Sequence, residues 1–174
     1  ILGVVAGSAA FAAFMRELHS DVPLLGPEER NWVQWVLEQG ECDLFISALN
    51  LRRIPDVLIA HAQVAAINFH DALLPRHAGL FAPQMALASG DEVVVVTWHR
   101  LTPEWDTGEV LAQESWKLPP QVTAEEVQIQ LLQLGRLTFD ELLARFEAGL
   151  AVGRPQDLTK RSYTRLTDRP GDAM

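Results

Sequence analysis

Asn68 and His70 stand two residues apart at the end of the apolar run beginning at Val64, and Asp106 follows far downstream in Trp105-Asp106-Thr107-Gly108. If that run is a strand, alternate side chains share a face, so Asn68 and His70 point over one pocket. An amide and an imidazole can donate hydrogen bonds to an oxyanion, and an acidic residue on a glycine turn can handle a proton. Each residue alone has a blander reading: Asn68 as a turn former, Asp106-Thr107-Gly108 as a plain turn, His70 as a hydrogen-bonded structural histidine. Their joint occurrence with Leu73-Leu74-Pro75 favours a site. His19, His61 and His77 lack such support and read as surface or packing residues.

The elements that must carry these residues alternate between strand and helix. Ile1 to Ala6 reads as a short strand, and Ser8 can cap a helix through Leu18. Gly26-Pro27 opens a second helix bearing Trp32, Trp35 and Val36, which Gly40 closes. Leu44 to Ala48 is a buried strand, Pro55 to Ala62 a short helix, and Val64 to Phe69 the strand that ends on the Asn68/His70 pair. Past the loop at Pro75 to Gly79, the pattern predicts a helix over 82–89 and valine-rich strands over 92–101 and 110–118. Thr123 with Glu126 forms a capping box that introduces a long amphipathic helix to Ala148. Trp98 and Trp116 suit the core better than a stacking platform, whereas Trp105 beside Asp106 suits either. Strands separated by helices imply a mostly parallel α/β sheet, with helices on both faces and a ligand crevice outside the carboxyl ends of its strands.

Composition narrows the classes. At 174 residues with 48% hydrophobic content, the chain is expected to be one globular domain. No apolar run nears the roughly 20 residues that span a bilayer. Cys42 has no internal partner, which fits a reducing cytoplasm. A net charge of −9 opposes nucleic acid as a partner held by its phosphates. Lys160, Arg161, Arg165 and Arg169 gather late, and residues 155–174 read as a polar tail or the start of a linker after a domain over 1–154.

Asn-x-His-x-x-Leu-Leu-Pro at 68–75 followed by Asp-x-Gly at 106–108 resembles the N10-formyltetrahydrofolate-dependent formyltransferase family. The stretch from Ile67 to Gly79 (INFHDALLPRHAG) and Thr97-Trp98-His99 resemble most the formylation domains of nonribosomal peptide synthetases. The resemblance implies a Rossmann-like formyltransferase fold, and against it the chain is expected to lack the first strand-helix unit. It also implies Asn68, His70 and Asp106 as catalytic residues and His99 as a supporting one. The folate pocket would fall on Leu51, Arg52, Arg53 and Ile54 and on Thr102, Pro103, Glu104 and Trp105, largely through main chain. N10-formyltetrahydrofolate is the implied co-substrate and no metal is required; the five histidines show no ligand spacing. Two departures stand out: Ala72, where many relatives carry serine or glycine, and Val95, where a glycine is common and a side chain can crowd the pocket.

The implied activity is formyl transfer to the amino group of an aminoacyl residue on a carrier protein, with neighbouring synthetase domains as partners, in the cytoplasm, without membrane or nucleic acid. The alternatives are an amino-sugar nucleotide N-formyltransferase and a noncatalytic scaffold derived from such an enzyme.

Overall fold

The computed structural model describes residues 4–5, 13, 16–17, 20–26 and 29–168, and divides into two compact units, Ile1–Ala66 and Ile67–Met174. The helix expected over 8–18 and the helix start at Gly26-Pro27 fall wholly or partly outside the described residues.

In the first unit, β1 (Val4–Val5) pairs in parallel with β2 (Leu24–Leu25). Helix α1 (Trp32–Glu38) carries Trp32, Trp35 and Val36 as expected, and Gly40 follows it at φ +93°, a conformation that favours glycine. Strand β3 (Cys42–Ala48) hydrogen-bonds to β4 (Ala62–His70), and between them lies the single turn of α2 (Asp56–Ile59) with Leu58 fully buried.

The second unit holds the end of β4, then β5 (Ala78–Gly79), α3 (Ala82–Ala88), β6 (Val93–Arg100), β7 (Val110–Lys117), α4 (Ala124–Glu147) and β8 (Tyr163–Thr164). β4 pairs antiparallel with β6, and β6 antiparallel with β7. Simple alternation predicts parallel neighbours here. The connection over 101–109 contains no helix, however, and a parallel return needs a crossover of about a dozen residues or more. Between Trp98 and His99 the β6/β7 register shifts, leaving Leu111 as an extra residue on β7. Its carbonyl accepts a hydrogen bond from Arg145 of α4 at 2.8 Å.

The pleat sorts two jobs onto two faces. Ile67, Phe69, Val94, Val96 and Trp98 belong to the core set, while Asn68, His70, Thr97 and His99 alternate with them. The core side meets α4, whose buried stripe is Val127, Leu131, Gly135, Thr138 and Leu142 at helical spacing. Thr123 and Glu126 close the expected capping box at its start. Trp98 Nε1–H donates to the Gly135 carbonyl at 3.1 Å, and its ring lies 5.3 Å from Phe69 and 5.0 Å from Phe139.

Val95 shares the His99 face but sits four residues upstream, which is about 13 Å along a strand. It is buried, and on the same face it lies two residues from Thr97, which pairs with His70. A Cβ at Gly135 would overlap the Phe69 ring. That ring cannot swing away because Trp98 lies against it, so Gly135→Ala is expected to lose about 1–3 kcal/mol despite its better helix propensity. Urea unfolding would measure it; a gain in stability would contradict this packing.

The stretch after Arg154, expected as a polar tail or the start of a linker from residue 155, also departs from expectation over its described residues, 155–168. Rather than trailing off as a polar tail, it returns to the second unit. Arg154 bridges Val110 through both main-chain bonds at 2.8 Å, and β8 pairs in parallel with β5. Its polar side chains find their partners on main chain some fifty residues upstream, which its composition conceals. Among the described residues no helix is long and apolar enough to cross a membrane.

Candidate active site

β4 delivers Asn68 and His70, β6 delivers His99 opposite Asn68, and the turn before β7 delivers Asp106. Asn68 Nδ2 lies 3.2 Å from His99 Nε2, and that nitrogen lies 3.6 Å from Asp106 Oδ1. His99 is 1% exposed and Asp106 8%, so the array works largely away from water. His99 Nδ1–H donates to the Arg100 carbonyl at 2.9 Å, which fixes one tautomer and turns Nε2 toward the other two groups. In the neutral ring Nε2 accepts from the Asn68 amide. In the charged ring it donates, with the Asp106 carboxylate as counter-charge.

His70 is arranged differently. Its Nε2–H donates to the His77 carbonyl at 3.0 Å, and its Nδ1 has no hydrogen-bond partner among the described residues. The His70 and His99 rings meet edge to face with centroids 6.4 Å apart. His99, expected only as a support, therefore contacts both Asn68 and Asp106, while His70 stands beside them with one nitrogen open.

Asp106 is held in a left-handed conformation, φ +55°. Aspartate tolerates this better than most residues, at some cost in strain. Gly108 permits the turn by close approach: a Cβ there would overlap the Arg100 carbonyl. The Gly79 N–H donates to Asp106 Oδ2 at 2.8 Å. Burial pushes the Asp106 carboxyl up, but His99, the charge of His70 and the Gly79 N–H outweigh it and hold it at about 2. Of these the Gly79 bond is the firm one, because 3.6 Å to His99 is a charge-charge distance and longer than a hydrogen bond.

The sign of the pH dependence follows. A carboxyl held below its unfolded value of about 3.9 stabilises the fold fully above that pH, and the contribution is lost as pH falls toward about 2. The stability gap between the native chain and Asp106→Asn is expected to shrink over that window. Denaturant titrations at pH 5 and pH 3 would show it; a gap that widens on acidification would refute the assignment.

A second charged group lies behind the site. Asp91 accepts from His77 Nε2 at 2.8 Å and from Arg76 at 2.9 Å. Burial raises the Asp91 carboxyl, and the hydrogen bonds from His77 and Arg76 more than offset it, leaving it below the ordinary carboxylate range. His77, read from the sequence as a packing or surface residue, is buried at φ +55° and supplies through its carbonyl the acceptor that orients His70.

The expected folate loops can be described each by itself. In the first unit, Asn50 Oδ1 accepts from the Arg52 N–H at 3.0 Å, Arg53 reaches Asp56 at 3.2 Å, Leu51 is exposed and Ile54 buried. In the second, Thr102 and Thr107 hydroxyls both donate to the Glu104 carbonyl, Arg161 donates to the Trp105 carbonyl at 2.8 Å, and Trp105 is 37% exposed. Pro103 is exposed beside them. Two carbonyls of that loop are thus already engaged, leaving fewer main-chain groups for a ligand than the sequence suggests. Among the described residues no group of three His, Cys, Asp or Glu side chains is gathered as a metal site.

Comparison with known proteins adds an independent line. The family model for formyl transferases matches residues 27–141. The chain is 33% identical over 142 residues to the methionyl-tRNA formyltransferase of Lactobacillus delbrueckii subsp. bulgaricus, covering 80% of this chain but 45% of that protein. Among solved structures, it superposes with a TM-score of 0.76 on a 4-N formyltransferase from Francisella tularensis (15% identity; 95% and 66% of the two chains). With a TM-score of 0.71 it matches a formyltransferase from Anoxybacillus kamchatkensis solved with UDP-4,6-dideoxy-4-formamido-L-AltNAc and tetrahydrofolate (22% identity; 94% and 85%). At these identities the structures establish the fold: a mostly parallel α/β, Rossmann-like one, of which β4, β6 and β7 form the antiparallel part.

Proposed function

The chain belongs to the formyl transferase family, and from that premise we propose that it moves a formyl group from N10-formyltetrahydrofolate to a primary amine. The observation that carries this reading is the Asn68–His99–Asp106 array with His70 Nδ1 open beside it. The folate supplies the one-carbon unit. As the amine adds to the formyl carbon, negative charge collects on oxygen, and the Asn68 amide with a protonated imidazole are donors for that charge. Asp106, ionised, stabilises the imidazolium and relays the proton that the amine loses, directly or through water, to the folate N10, which leaves as tetrahydrofolate when the adduct collapses and the N10–formyl bond breaks. Burial of His99 and Asp106 strengthens both effects.

For the acceptor we place an amino-sugar nucleotide first. With 23 acidic and 14 basic residues, the chain meets two phosphates with less repulsion than it meets a nucleic-acid backbone. Methionyl-tRNA is the second reading, favoured by the 33% identity to an enzyme named for it; a local basic face would suffice there in spite of the net charge. The carrier-bound aminoacyl acceptor expected from the sequence has no counterpart among the relatives described above, of which one is named for tRNA, one is solved with a sugar nucleotide and one is named only as a 4-N formyltransferase.

Intact-mass analysis of each of the three acceptors after incubation with the chain and formyltetrahydrofolate tests this. A gain of one formyl group on the sugar nucleotide supports the leading reading. A gain on tRNA or carrier alone replaces it, and no gain on any would sink formyl transfer as the function.

A further inference from the structure

We infer that Gln156 is a positioning residue for Asp106, acting from a strap, residues 154–164, that ties together the two loops on which the site depends. The inference rests on the formyl-transfer reading for its kinetic consequence, though not for its geometry.

Gln156 Nε2 donates to the Asp106 carbonyl at 2.9 Å and to the Gly108 carbonyl at 2.6 Å, while its Oε1 is buried without a partner among the described residues. An amide nitrogen carries two hydrogens, and both are used. The opposite orientation would aim an oxygen at two carbonyls, so the donor end must face the turn. These bonds bracket the left-handed Asp106, whose conformation needs outside support to persist.

The rest of the strap reinforces the same loops. Arg161 holds the Trp105 carbonyl and stacks 4.8 Å from the Tyr163 ring centroid. Ser162 Oγ accepts from the His77 N–H at 2.8 Å, and β8 pairs with β5 at Gly79. The loop so held presents the His77 carbonyl to His70 and the Gly79 N–H to Asp106. Gln156 thus fixes Asp106 from the main-chain side, while Gly79 and His99 hold its carboxylate.

The test reads Asp106 directly, by carbon-13 NMR titration of its carboxyl, together with kcat, folate KM and melting temperature. Gln156→Ala is expected to raise the Asp106 titration toward the ordinary range and to lower kcat by about 10- to 100-fold, with folate KM nearly unchanged. Gln156→Glu keeps the volume but cannot donate when ionised, and is expected to do the same should the alanine variant fold poorly. Thr159→Ala, on the same strap but bonded to Asp157 alone, is the control expected to change nothing. An unmoved Asp106 titration with kcat within about twofold of native overturns the inference, as does a fall in melting temperature that accounts for lost folate binding and lost rate alike. A shifted titration in a chain that formylates no acceptor would leave Gln156 in its role and remove the proposed reaction instead.

Discussion

Asp106→Asn is expected to lower kcat by about 10²- to 10⁴-fold with little change in folate KM, the range that a positioned proton-transfer group contributes. Asparagine is isosteric and can still accept from the Gly79 N–H through its oxygen. What it loses is the charge beside His99 at 3.6 Å and the ability to take the proton that the amine releases. Single-turnover rates with saturating folate separate the chemical step from binding. A loss below about tenfold would remove Asp106 from the chemistry and return the Asp-x-Gly stretch to the status of a turn.

Asn68→Ala is expected to cost about 100- to 1000-fold in kcat, the usual consequence of removing one preorganised oxyanion donor. Two effects combine. The amide is lost as a donor, and His99 Nε2 loses its partner at 3.2 Å, so the ring's neutral form is no longer held for the next turnover. Asn68 is half-buried and its neighbours Ile67 and Phe69 hold the core, so the melting temperature is expected to change little. Steady-state kinetics beside a thermal melt would check it; a kcat within tenfold of native would place the oxyanion elsewhere.

Much of this was legible in the sequence, for reasons that can be named. Alternation in β4 put Asn68 and His70 on one face because a strand has no other choice, and the Thr123/Glu126 box announced α4 because capping is local. The different bonding of the two histidines was not legible. His70 turns one nitrogen into the His77 carbonyl, and no spacing rule records a bond to main chain. The strap escaped for the same reason: Gln156, Arg161 and Ser162 bond to main-chain groups of Asp106, Gly108, Trp105 and His77, so nothing in their own neighbourhood distinguishes them from a solvated tail. Gly79, already inside the motif, has room for no Cβ because the Thr164 carbonyl approaches it. The antiparallel β6/β7 pair was missed because alternation of strand and helix weighs elements and ignores the short, helix-free connection over 101–109.

The extra residue on β7 has a consequence for how such a chain can change over generations. A single-codon deletion at Leu111 would regularise the β6/β7 pairing, remove one of the two main-chain acceptors of Arg145 and draw the Asp106 turn one step along the strand. None of the four polar side chains would have been altered, yet Asp106 would no longer face His99. Changes of length between His99 and Arg154 displace a proton-handling group from its partner even when every site residue is kept. Divergence in this region is therefore constrained in the number of residues as well as in their identity.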